Sequence, residues 1–490
     1  MRKTLVVVLA VVVVGLLVAA ALPLAERYAA GQIKAALEQD GQTSVGAVEV
    51  GLLSRRVTLN DVHLQVFGGL TARRWEVRGF PESLGDLLEG RTPLTDFKLG
   101  DPLRADHLEL VDARFTDSDG SNWSVGSLLV DGLDMAPYDP NAAGPYRLEI
   151  LAARIAKALR LQHVEATNIS YGLAETGDSL AMRRVTVDRF DRGSFGALAV
   201  VGSEATPRNT SDAAFRIDDI RAKDVDLKRV VAQLGERSWQ PGRPLGRVAV
   251  ASASASGFGG TLLSRNGVSL DGISLETTRE AVDSSRSRLR IDDLILRPAA
   301  GLEGARLRLM LQAMGLSELK LRFDCTGVER RGKGELGIDR CALAVTDLGE
   351  VSLAANFIGA DETFWRGVDD GDAILLSRSA IALASARVTV VDKGMIDRSI
   401  RALAAGSGQS SQIARANLAR DIRTYQPPDI LITEDLTKLL DTVARFVEQG
   451  GTLALEARPD PPLSLAAARG LSITAPDLVS LLGLSATLSR

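Results

Sequence analysis

VTLNDVHLQV, residues 57–66, places apolar side chains at Val57 and Leu59, breaks at Asn60-Asp61, and resumes at Val62, Leu64 and Val66. Alternation of period 2 turns one face of a strand toward an apolar layer and the other toward water. The move from odd to even positions would throw the second half onto the wrong face unless the chain absorbs one residue. A β-bulge or a tight turn between two strands does that, and Asx residues suit both. The same step separates Leu108 and Leu110 from Ala113 and Phe115 around Asp112. It recurs between Ile220/Ala222 and Val225/Leu227 around Lys223-Asp224.

From Thr43 onward the alternation dominates, with further examples at Leu128/Val130, Val185/Val187, Leu289/Ile291, Ala305/Leu307/Leu309 and Val351/Leu353. Short strands separated by Gly and Asx turns predict a mainly β protein. Repeated steps increase twist and suit an elongated twisted β-sheet groove better than a closed barrel. Helical patterns interrupt this at Pro81–Gly90, with Leu84, Leu87 and Leu88 together. They return after Val391, where Ile396, Ile400 and Leu403, then Leu436, Leu439, Leu440, Val443, Phe446 and Val447, follow helical spacing. The expected organisation is a transmembrane anchor over 1–25 and an amphipathic helical extension over 26–42, with Tyr28, Ile33, Ala36 and Leu37 on one side. A repetitive β domain over 43–390 and a smaller α+β C-terminal module over 391–490 follow.

The anchor rests on Arg2 and Lys3, followed by the uninterrupted apolar run Leu5–Leu24. A helix of that length is about 30 Å long, the thickness of a bilayer core. The cations before it place the N-terminus in the cytoplasm and the rest of the chain across the membrane. The competing reading is a cleavable signal peptide, with Ala19-Ala20-Ala21 as the processing point. Both deliver the same domain to the same side.

Acidic and basic residues nearly cancel, 62 against 58, and no long basic run occurs. Nucleic-acid binding therefore has no electrostatic footprint. Aromatic residues make up only 4% of the chain, so the apolar layer must be aliphatic. Cys325 and Cys341 stand on the apolar faces of successive strands, and across the membrane such a pair is expected to oxidise to a disulfide. Two reduced cysteines packed as small apolar fillers are the alternative. Enzyme chemistry finds no support. His63, His107 and His163 lack a second ligand at metal spacing. Ser317 and Lys320 fall on opposite faces of a strand pattern. Gly257–Gly260 reads as a turn with no helix after it, and Asp218-Asp219 and Asp292-Asp293 read as turn residues. No catalytic group, metal or cofactor is assigned.

The N-terminal helix, the short amphipathic helix and QTSVGAVEVGLLSRRVTLNDVHLQV (42–66) resemble the AsmA-like and chorein-related bacterial envelope proteins. WEVRGFPESLGDLLEGRTPLTDFKLGDPLRADHLELVDARF (75–115) extends the likeness, which covers roughly residues 1–120. The resemblance implies an inner-membrane protein of a Gram-negative cell whose periplasmic β-groove carries lipid acyl chains between membranes. On that implication Val57, Leu59, Val62, Leu64, Leu108, Leu110, Leu128 and Val130 face the tails. The same residues equally suit an ordinary sheet core. A membrane-tethered scaffold or assembly factor, binding other envelope proteins by strand addition, is the rival function.

Overall fold

The computed structural model describes residues 22–39, 41–65, 69–95, 98–116, 120–142, 147–208, 210, 212–236, 245–299, 301, 304–426, 432–464 and 478–490. The fold is mainly β: the described residues include twenty strands in an antiparallel sheet that does not close into a barrel. The chain divides into two compact units, residues 1–213 with 219–243, and residues 214–218 with 244–490. Most of the run Leu5–Leu24 lies outside the described residues. Among the described residues no helix is long and apolar enough to cross a membrane.

The first unit begins with helix α1, described over 22–38. Strands β1 (Thr43–Gly51), β2 (Arg56–Leu64), β3 (Leu70–Arg78), β4 (Leu103–Thr116), β5 (Asn122–Met135), β6 (Leu159–Gly172), β7 (Ser179–Asp191) and β8 (Ser194–Thr206) follow, and β9 (Phe215–Asp226) has residues in both units. From β1 to β8 each strand pairs antiparallel with the next. Helices α2 (Leu84–Leu88), α3 (Arg147–Ala158) and α4 (Lys228–Leu234) sit in the connections. Ala29, Ile33 and Leu37 of α1 pack on Val57, Leu59, Val62 and Val77, sealing the apolar face of β1–β3. Tyr28, expected on that side of the helix, is instead 60% exposed. The side chains of α1 also occupy backbone groups along β1: Lys34 donates to the Gly46 carbonyl, and Glu38 accepts from the Val45 N–H.

The steps at Asp61 and Asp112 lie inside strands, and neither a turn nor a register-shifting bulge absorbs them. Gly46, Asp61, Arg73, Asp112, Gly126, Asn168, Arg183 and Gly202 occupy one level, one residue in each of β1–β8, and the pairing registers run unbroken on both sides of that level. Both partners of each pair take the extra residue at the same level, so register and apolar face survive together. Every second strand achieves this with a left-handed residue: φ is 52° at Asp61, 50° at Asp112, 51° at Asn168 and 67° at Gly202. Asp and Asn are the non-glycine residues that best tolerate that region.

A second level crosses Gly79, Asp106, Gly132, Gln162, Arg189 and Gly196, with positive φ at Gly79, Gly132 and Arg189. Glycines here also make room. A Cβ on Gly132 would lie 2.5 Å from Gln162 Cγ, and one on Gly202 2.6 Å from Arg183 Nε.

The second unit contains β10 (Ala249–Gly259), β11 (Val268–Ser269), β12 (Gly272–Ala281), β13 (Ser284–Leu296), β14 (Leu319–Arg330), β15 (Glu335–Val345), β16 (Gly349–Ile358), β17 (Ala382–Asp392), β18 (Thr452–Ala457), β19 (Leu463–Ser464) and β20 (Leu484–Ser489). Its helices are α5 (Thr261–Arg265), α6 (Ala305–Ala313), α7 (Glu362–Asp370), α8 (Ala373–Arg378), α9 (Met395–Ser407), α10 (Ser411–Arg423), α11 (Glu434–Gln449) and α12 (Leu478–Leu482). Ile396, Ile400 and Ala404 of α9, Ala414 of α10 and Phe446 of α11 cover Val390, Leu453, Leu455, Ala486 and Leu488. Leu403, expected in that stripe, is 51% exposed, and Ala404 takes its place.

Several sequence expectations fail here. Ala305, Leu307 and Leu309 belong to α6, because ARLRLMLQA lacks β-branched residues and consists of strong helix formers. Between the two helical stripes expected after Val391, Ser411–Arg423 adds a further helix, α10, capped by the Ser410 hydroxyl on the Ile413 N–H. One helical turn, α5, does follow Gly260. Asp218-Asp219 and Asp292-Asp293 lie within β9 and β13 rather than in turns, and Asp293, at φ 49°, marks a register-shifting bulge.

Candidate ligand-binding face

Because paired residues share a face, the register of the first unit assembles two aliphatic rows. One runs Val57, Val77, Leu108, Val130, Val164, Val187, Leu198; the other runs Leu59, Trp75, Leu110, Leu128, Ala166, Val185, Val200. Their exposure changes along the way. Val57 and Leu59 are 0% and 1% exposed beneath α1, whereas Leu108, Leu110, Leu128, Val130, Val164, Val187 and Leu198 are only half-buried. Beyond β4, then, the face lacks the covering that α1 gives β1–β3.

An apolar cavity of about 650 Å³ lies where the cover ends. Leu59, Val62 and Leu64 of β2, Trp75 and Val77 of β3, Ala105 and Leu108 of β4 and Leu133 of β5 line it, with Leu37 of α1 and Leu94 and Leu99 from the connection after α2. Its volume falls in the range of small-molecule sites. Of the residues expected to face a ligand, Leu59, Val62, Leu64 and Leu108 line this cavity. Leu110, Leu128 and Val130 lie on the half-exposed rows. Val57 heads the first row but lines no part of the cavity, since α1 seals it into the core.

The connection that walls the cavity is held by α2. Ser83 and Asp86 form a reciprocal cap, and Arg91 bonds the same carboxylate. The Ser83 hydroxyl, the Ser83 N–H and Arg91 hold the Asp86 pKa down, at about 2. A lowered folded-state pKa means that ionised Asp86 stabilises the cap in full above the ordinary carboxylate range. That contribution is lost as pH falls through about 2. A carboxyl-carbon NMR titration should place the Asp86 midpoint there, and Ser83→Ala should move it upward; an unmoved midpoint would remove the hydroxyl as its leading cause.

The opposite face is ionic. His107 Nδ1 lies 2.7 Å from Asp131 Oδ1, and His163 Nδ1 lies 2.6 Å from Asp188 Oδ1. Together with Arg78 these residues form one cross-strand row, Arg78, His107, Asp131, His163, Asp188. His63 stands apart, opposite Ser44 and Thr71. Such part-buried His–Asp contacts, ion pairs only when the imidazole is protonated, contribute about 0–1 kcal/mol each. Among the described residues no group of three or more His, Cys, Asp or Glu is arranged to hold a metal ion.

In the second unit the corresponding row runs Leu275, Leu289, Cys325, Cys341, Leu353, Val388, Leu455. Cys325 and Cys341 are direct partners on β14 and β15 and are disulfide-bonded, so the bridge lies within the apolar face. Leu343, Val351 and Leu353 beside it are 41%, 43% and 38% exposed. Thiol titration of the denatured, unreduced chain should find no free thiol, and two after reduction; two before reduction would remove the bridge.

A family model described only as an uncharacterized protein matches residues 342–489, from the end of β15 to β20. No curated protein matches the chain.

Proposed function

We propose that this chain is a membrane-anchored, AsmA-like protein of the bacterial inner membrane that holds lipid acyl chains on its apolar sheet face in the periplasm. The anchor is the run Leu5–Leu24. The observation carrying the proposal is the pair of apolar rows across β4–β8, half-buried at every position but Ala166 and continuous with the cavity beside Leu108. A closed core would bury those side chains fully; acyl chains would complete their packing, at about 0.8 kcal/mol per buried methylene. Acyl chains ask for no directional partner, which suits a face built from Val, Leu and Ala.

The rival scaffold reading needs a free strand edge; at β1 side chains of α1 occupy two backbone groups, whereas β20 pairs only with β18 among the described residues. The test is native purification of the full chain followed by lipid extraction and mass spectrometry. Co-purified diacyl lipid is the expected result. A lipid-free, stably folded protein overturns the proposal.

A further inference from the structure

A second cavity, of about 580 Å³, shares Pro93 and Leu103 with the apolar one. Its wall has a different chemistry. Arg104, Arg160 and Arg192 supply three cations, and Glu82, Asp101 and Asp134 supply three acids. Four charges at the strand ends form one cross-strand row on the ionic face: Arg104, Asp134, Arg160, Asp191. Within it Arg104 Nε lies 2.9 Å from Asp134 Oδ1, and Arg160 Nε lies 2.9 Å from Asp191 Oδ1. Arg192, next in sequence, is exposed at φ 51° and has no ion pair among the described residues.

Pro93 and Leu103 therefore border both an apolar chamber and a charged chamber whose lining sums to zero. A headgroup bearing a net anion would meet as many carboxylates as guanidiniums there. One bearing both a phosphate and an ammonium matches both sets. A guanidinium fork suits phosphate oxygens, and a carboxylate suits a compact ammonium.

Resting on the acyl-chain reading above, we infer that this shared border seats a zwitterionic phospholipid headgroup. The phosphate lies against Arg192 and Arg160, the ammonium against Asp134 and Asp101, and the chains enter beside Leu103 and Leu108. Arg192 is the member with a guanidinium left to give, so it carries most of the headgroup selectivity.

The experiment uses the full chain in detergent, delipidated and equilibrated separately with dioleoyl phosphatidylethanolamine, dioleoyl phosphatidylglycerol and dioleoylglycerol, with retained lipid quantified after gel filtration. Phosphatidylethanolamine should be retained about tenfold more than dioleoylglycerol, and Arg192→Asn should remove most of that margin while leaving dioleoylglycerol retention unchanged. Asn tolerates the left-handed backbone at this position, so the variant keeps the turn. Equal retention of phosphatidylglycerol and phosphatidylethanolamine overturns the zwitterion match. An unchanged Arg192→Asn profile overturns the seat while the acyl-chain reading stands. Retention of none of the three probes overturns both.

Discussion

Leu128→Asp should leave the chain folded while emptying it of lipid. Leu128 is half-buried, so a carboxylate in its place keeps access to water. The expected loss of stability is about 1–2 kcal/mol. Leu59→Asp offers the contrast. Leu59 lies on the same row but is 1% exposed beneath α1. An unpaired carboxylate there should cost more than about 4 kcal/mol. Circular dichroism and urea titration on both variants, with lipid extraction on the first, make the comparison. If Leu128→Asp unfolds as readily as Leu59→Asp, the face is closed and has no room for acyl chains.

The second large effect concerns the levels at which neighbouring strands take an extra residue together. Gly132→Val should destabilise the first unit by about 3 kcal/mol or more, because a β-branched side chain is forced into the left-handed region against a neighbouring side chain. The backbone at Gly132 has φ 64°, and its Cβ would meet Gln162 at 2.5 Å. Gln162→Val, one strand away at the same level with ordinary backbone, should change stability by less than about 0.5 kcal/mol. Midpoints of urea unfolding at constant m-value separate the two. Equal effects would mean that the left-handed residues do not hold the step.

Why the steps are shared follows from what a lone step would do. One extra residue in a single strand shifts its register against both neighbours or turns its apolar set outward. When both partners add a residue at the same level, neither happens. Fourteen-residue strands such as β4 and β5 thus keep one continuous apolar face despite two breaks in alternation. Gly126 opposite Asn168 illustrates the fit: a Cβ on the glycine would lie 3.1 Å from the Asn168 Cβ.

Much of this was legible along the chain. The break at Asp61, Asp112 and Asp224 marked three residues that adopt positive φ, because Asx residues at a parity change signal a local backbone need. The face assignments of Leu108, Leu110, Leu128 and Val130 followed from period 2. The companion level through Gly79, Gly132 and Arg189 went unread, although Ala105 to Leu108 and Val130 to Leu133 show the same three-residue stride. Helices were missed where alternation and helical spacing coincide over a short stretch. Ala305, Leu307 and Leu309 read equally well as a strand, and only Leu311 is buried.

Local sequence pattern accounts for the strand-rich class, the apolar character of one face and the polar character of the other, and the positions of three steps. These follow from steric and burial periods acting over a few neighbouring residues. Tertiary structure decided which stretch of the apolar face is sealed and which is half-open. It also decided that Leu103 and Pro93 border two chambers of different chemistry. Exposure depends on what lies opposite a side chain: Val57 and Val130 share one row and one alternation, and the placement of α1 makes the first a core residue while the second stays half-buried.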